Sequence, residues 1–263
     1  MKPLIAVDIG NTSIHLARFD QGKWRSSRRI VTSHYREELF DALKPLVPSD
    51  KNACVVIAGV VPEAGKYLER AIPKKLRVET RLIGPAFPVP MKNLYKIPSQ
   101  VGVDRLLNGL AAYDKVRGPV IVIDFGTAIT FDVVTQRGEY RGGVIAPGIE
   151  ISLEALFQKT ALLPKIRLQH PKKVVGRDTV ESIRVGCSVG IGGLCDRIID
   201  EIEKSSRLRA KVIATGGYAG FMSKYCRRIS AIDPDLLFKG IQITYRHHVG
   251  RFDRQQPVPS PWP

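Results

Sequence analysis

Leu4-Ile5-Ala6-Val7-Asp8-Ile9-Gly10-Asn11-Thr12 and Val120-Ile121-Val122-Ile123-Asp124-Phe125-Gly126-Thr127-Ala128 are one pattern written twice, at a constant offset of 116. Each begins as a short apolar run that reads as a buried strand and ends on Asp-x-Gly. The match continues without a gap. Ile14–Phe19 falls on Thr130–Thr135, Gly22 falls on Gly138 as a turn residue, and Trp24 falls on Tyr140 where a further strand should begin. Two strand–turn–strand units resemble each other easily by chance. Asp, Gly, turn Gly and aromatic in one register do not. The reading is an α/β chain made of two copies of a hairpin-led domain.

Working outward, the first copy continues with a helix near 35–46, a strand over 53–58, a helix near 63–72 and a strand near 77–83. A long helix over 101–116 carries Leu106, Leu107, Leu110 and Ala111 as its apolar stripe. In the second copy, helices are expected near 149–160, 180–205 and 217–226. A strand at 211–214 and a last helix over 235–246 follow. The domains are therefore expected at 1–117 and 118–250, with 251–263 as an extended or disordered tail, because Gln255–Pro263 holds four prolines.

The chemistry sits at the strand ends. A carboxylate beside a glycine turn can hold a cation, while the exposed backbone N–H groups approach a phosphate. One Asp-x-Gly is also an ordinary turn; two at the same point of two repeats would face one cleft and clamp a nucleotide. Thr215-Gly216-Gly217, after an apolar strand, adds a turn against which a nucleotide can lie. Gly102-Val103-Asp104-Arg105 opens the long helix, with Pro98 and Ser99 as its expected start and cap. Asp104 there can accept the proton of an alcohol undergoing phosphoryl transfer, with Arg105 orienting anions. The alternative is a first-turn Asp favoured by the helix dipole.

Composition narrows the rest. The 263 residues carry 41 Lys and Arg against 25 Asp and Glu, a formal charge of +16. The basic residues are scattered, as in Lys74-Lys75, Lys172-Lys173 and Arg227-Arg228, and no nucleic-acid motif accompanies them. The charge reads as a surface that attracts phosphorylated ligands, and a nucleic-acid partner is not expected. Cys54, Cys187, Cys195 and Cys226 have no metal-ligand spacing and read as reduced core residues. The apolar start of the chain stops at Asp8 after four residues, too short for a signal peptide. No apolar run is long enough to span a bilayer. A cytoplasmic location is expected.

In order along the chain stand Asp8-Ile9-Gly10-Asn11-Thr12, Gly102-Val103-Asp104-Arg105, Asp124-Phe125-Gly126-Thr127-Ala128, Gly142-Gly143-Val144-Ile145-Ala146-Pro147-Gly148, Val175-Gly176-Arg177-Asp178-Thr179 and Thr215-Gly216-Gly217. Together they resemble the type III pantothenate kinases of the actin-like ATPase superfamily, over residues 3 to about 246. The resemblance implies duplicated actin-like, ribonuclease H-like domains with mixed sheets and a nucleotide cleft between them. It implies transfer of phosphate from ATP to pantothenate, the first step of coenzyme A synthesis. Asp8, Ile9, Gly10, Asn11, Thr12, Ser13, Ile14 and His15 would form the first phosphate loop, with Thr127, Gly216 and Gly217 completing the ATP site. Tyr95, Gly102, Val103, Asp104, Arg105 and Thr179 would bind pantothenate, and Asp104 would be the general base. Asp124 would hold a monovalent cation (potassium or ammonium), and Asp8 a divalent ion, Mg²⁺, that comes with the nucleotide. A homodimer completing the pantothenate site is implied as well. Ile129 and Ala17 depart from the family's usual Thr and Gly, and neither change removes a charged or nucleophilic group. A non-catalytic regulatory relative or another actin-like phosphotransferase are the competing readings; the presence of Asp8, Asp104 and Asp124 together favours the kinase.

Overall fold

The computed structural model describes residues 2–20 and 23–252. Gly22 and the proline-rich tail therefore lie outside the described residues. The chain divides into two compact units, Met1–Ala111 with Asp235–Pro263, and Ala112–Pro234. This division differs from the expected 117/118 boundary: it falls inside a helix, and the last helix belongs with the first unit.

The first unit contains β1 (Leu4–Ile9), β2 (Ser13–Asp20), β3 (Lys23–Val31), α1 (Tyr35–Leu43), β4 (Cys54–Gly59), α2 (Pro62–Leu76), β5 (Glu79–Leu82) and the start of α3 (Val103–Val116). Its sheet has the order β3-β2-β1-β4-β5; β3, β2 and β1 are antiparallel neighbours, while β1, β4 and β5 run parallel. The alternation of β1 explains why both faces are covered. Ile5, Val7 and Ile9 pack on one side with Leu39, Leu43, Leu68 and Ile72. Leu4 and Ala6 pack on the other with Leu107, Ile241 and Tyr245.

The second unit contains β6 (Val120–Phe125), β7 (Ala128–Val134), β8 (Tyr140–Pro147), α4 (Ile149–Lys159), α5 (Thr179–Val185), α6 (Ile191–Ser206), β9 (Lys211–Thr215), α7 (Ala219–Met222) and β10 (Ala231–Ile232). A π-helical turn over Gly186–Gly190 joins α5 to α6, where one continuous helix was expected. The strand order β8-β7-β6-β9-β10, antiparallel then parallel, repeats that of the first sheet. Finally α8 (Leu236–Phe252) places Ile241 and Tyr245 on the first sheet, which is why it belongs to that unit.

The repeat is real but not ungapped. Asp8 pairs with His15, whereas Asp124 pairs with Thr130. Four residues, 10–13, lie between the paired Ile9 and Ile14, and three, 126–128, between Phe125 and Ile129. The first turn is thus one residue longer, and hairpin register follows turn length. The second turn restores the phase: Trp24 pairs with Phe19 and Tyr140 with Val134.

Candidate active site

In the first unit the site grows from the end of β1. Apart from Asp8, which is half-buried, every β1 residue is buried, and Asp8 stands near the C-terminal end of this central strand. The following turn is closed by Gly10 N–H donating to Ser13 O at 3.0 Å. Thr32, just past β3, clamps it from outside. Its Oγ1 donates to Gly10 O at 2.8 Å, and its N–H donates to Thr12 O at 3.0 Å. Thr32 gave no sequence signal, because nothing in the local pattern says that β3 ends against this turn. Ser13 Oγ lies 3.1 Å from His15 Nε2. The imidazole of His15 titrates below its ordinary range, first because it is partly buried and second because Arg29 lies near it.

Asp104 belongs to the same end of the same unit. Ile9 O, at the end of β1, accepts from Val60 N–H at 3.0 Å. Val60 in turn packs beside Gly102, its Cγ1 3.4 Å from where a Cβ on that glycine would stand. The helix α3 begins at Val103. Pro98–Gln100 form a separate 3-10 turn, and Ser99 lies four residues before the start of α3, outside that helix's cap position. Asp104 is in the first turn as expected, but it is not a solvated dipole residue. Its Oδ1 is buried with no hydrogen-bond partner. Burial pushes its carboxyl above the usual range, and the backbone N–H and charge of Arg105 only partly offset this. Arg105 and, one turn on from Asp104, Asn108 are buried polar residues on the same helix. A Cβ on Gly102 would overlap Asp104 Oδ1, so the glycine makes room for the carboxylate. Tyr95 is half-buried in the loop before α3, its N–H donating to Asn93 Oδ1 at 2.9 Å.

The second unit repeats the pattern at Asp124, the half-buried member of β6. Gly126 N–H donates to Ala128 O at 3.2 Å, the counterpart of the Gly10 turn. Thr215 is aligned with Asp124 across β6 and β9. Gly216 adopts φ +88, a conformation suited to glycine. Through it the chain folds over β6, and Tyr218 N–H donates to Phe125 O at 3.3 Å. The helix expected over 217–226 shrinks to the four residues of α7: this turn delays its start to Ala219, and the chain passes into turns after Met222. Thr179 is exposed at the start of α5, whose cap is Asp178, accepting from Glu181 N–H at 2.8 Å. Among the described residues, no three His, Cys, Asp or Glu side chains are grouped to hold a metal.

Two five-stranded mixed sheets of one order, each with Asp-x-Gly at the end of its first strand, define a duplicated actin-like α/β protein. Solved structures share this fold. One from Campylobacter jejuni, assigned to the Baf family of transcriptional activators, superposes with a TM-score of 0.59 at 18% identity over 94% of this chain and 99% of that one. One from Sinorhizobium meliloti, assigned as a 2-dehydro-3-deoxygalactonokinase, gives 0.59 at 13% identity over 97% and 99%. The family model for type III pantothenate kinase matches residues 4–201. A type III pantothenate kinase of Myxococcus xanthus is 37% identical over 93% of this chain and 99% of its own length. The chain belongs to the type III pantothenate kinase family.

Proposed function

We propose that this protein transfers the terminal phosphoryl group of ATP to the primary hydroxyl of pantothenate, giving 4'-phosphopantothenate, with Asp104 as the proton acceptor. Family membership supports the reaction. The observation that supports the role of Asp104 is its buried, unpartnered Oδ1 at the β1 end of the first unit. In the reaction the hydroxyl O–H bond breaks, its oxygen bonds to phosphorus, and the bond from phosphorus to the ADP oxygen breaks. The proton passes to Asp104 and then to solvent. A carboxyl whose proton affinity is raised by burial is a stronger base once ionised, which suits it to this step.

In this reading the turn after β1, with Asn11 and Thr12, serves the phosphates in the first unit, and Thr127 with Gly216-Gly217 serves the nucleotide in the second. Asp8 fits a divalent ion held mainly by phosphate oxygens, because the described residues offer no carboxylate cluster and Mg²⁺ bound with nucleotides needs only one or two. Such an ion would neutralise charge on the transferring group. Asp124, set beside Gly216 and Thr215, fits the monovalent cation. Tyr95, Gly102, Val103, Arg105 and Thr179 form the pantothenate contacts in this reading.

A homodimer is part of the proposal. It is supported by exposed apolar side chains concentrated in the second unit, among them Ile145, Ile151, Leu162, Val174 and Val175. A cytoplasmic location belongs to the proposal too; no helix among the described residues is long and apolar enough to cross a membrane. The test is a coupled assay with ATP, Mg²⁺, pantothenate and either potassium or sodium. Turnover that requires potassium supports the whole reading. Equal rates in sodium remove the cation role of Asp124, and no turnover with pantothenate removes the function.

A further inference from the structure

We infer that Arg29, a residue outside the expected phosphate loop, is the fixed cation that receives the polyphosphate tail of the nucleotide in the first unit. The inference rests on the ATP site proposed above. Its ground is strand register. Asp8 on β1 lies directly opposite His15 on β2, and His15 lies directly opposite Arg29 on β3. Directly paired residues point to one face of a sheet. The three side chains therefore form a row across three strands, on the face where Leu4, Ala6 and Leu107 pack. The irregularity between β2 and β3 comes later, at Ala17/Arg18, and leaves this pairing intact.

Asp8 brings a negative charge to the proposed phosphate site. Arg29 is the row's permanent positive charge. Its side chain is exposed, and among the described residues none forms an ion pair with it. It is close enough to His15 to influence that ring electrostatically. Two strand spacings place β3 roughly 10 Å from β1, within the combined span of a triphosphate and an arginine side chain. A guanidinium offers paired N–H donors that match phosphate oxygens. Arg18, by contrast, is tied to Asp20 at 2.6 Å and is not available in this way.

The test compares Arg29→Met and Arg29→Lys with the wild-type protein. Arg29→Met should raise KM for ATP about tenfold or more, the loss expected for a hydrogen bond to a charged group. The KM for pantothenate and the melting temperature should stay unchanged, since the side chain is exposed. Arg29→Lys should recover part of the ATP effect. Calorimetry with ATP and with inorganic tripolyphosphate should show the same loss of affinity. An unchanged ATP KM in an active variant overturns the inference. So does an equal rise in both KM values, which would mark a general field rather than a contact. If the wild-type protein has no turnover with pantothenate, the proposed function fails. The calorimetric comparison then still decides the role of Arg29.

Discussion

Gly216 lies so close over the end of β6 that a Cβ there would stand 2.7 Å from the carbonyl carbon of Phe125 and would overlap Oδ1 of Asp124. The second Asp-x-Gly and the Thr-Gly-Gly turn are therefore one construction. The glycine is needed both for its φ of +88 and for the space.

Gly216→Ala should accordingly act on stability and nucleotide binding together. The positive φ alone costs an alanine about 1–2 kcal/mol, and the backbone of Phe125 cannot swing aside as a side chain could. For a chain of this size each 1 kcal/mol corresponds to roughly 2–4 °C in melting temperature. Thermal unfolding and ATP titration on the same variant check this. A variant with wild-type values for both would mean that the turn is looser than the structure has it.

Gly102→Ala should behave differently. Here the close neighbour is a side-chain oxygen, Asp104 Oδ1, which can rotate away. Folding should be nearly intact, within about 1 kcal/mol, as for a site that can relax. Turnover should fall sharply, because the displaced group is the proposed proton acceptor. Measuring kcat beside the melting temperature separates the two effects; a stability loss with normal kcat would assign Gly102 a purely structural role.

Asp104→Asn tests the acceptor itself through pH. Burial raises the folded-state pKa of Asp104, so its carboxyl favours the native state while protonated. That contribution is fully present below the unfolded carboxylate pKa and is lost as pH rises through the higher folded value. Asn, neutral throughout, should make the protein more stable than wild type at neutral pH, and the advantage should vanish in acid. Turnover should drop about 10²- to 10⁴-fold, as for loss of a general base. In the wild-type protein the acid limb of kcat/KM should fall at a pH above the ordinary carboxylate range. Lower stability at neutral pH, or turnover close to wild type, would return Asp104 to a helix-dipole role.

Much of this architecture can be read from residues, and the failures have physical causes. The runs 4–7 and 120–123 are apolar enough to demand two-sided burial, and both sheets are built around them. Turn length is less legible, because Gly10-Asn11-Thr12 and Gly126-Thr127-Ala128 look alike until pairing shows four residues against three. β10 is two residues long and has no periodicity to detect. The apolar residues of α8 announce a buried face but cannot say which sheet covers it; Ile241 and Tyr245 settle on the first. The residues proposed for the site in the first unit, Asp8 through His15 and Asp104, stand out in the sequence as motifs. Thr32 and Arg29 do not, because they reach the β1 turn only through the pairing of β3.

Thr32 supplies the last prediction. Its hydroxyl and its N–H hold the carbonyls of Gly10 and Thr12, and the residue is buried against the turn. Thr32→Val keeps shape and β-branching and the backbone bond to Thr12, but it removes the donor to Gly10 O. One lost buried hydrogen bond should cost about 1 kcal/mol of stability. The functional effect should be more selective. The N–H groups at the tip of the turn can face a phosphate only while the turn keeps its shape, so KM for ATP should rise while KM for pantothenate stays put. Thr32→Ser retains the hydroxyl and should restore the ATP value, with a small stability loss from the missing methyl group. Steady-state kinetics with each substrate varied, on both variants, decide the point. If Val and Ser variants show the same ATP KM, the hydroxyl does not shape the phosphate turn, and Thr32 is only a packing residue at the end of β3.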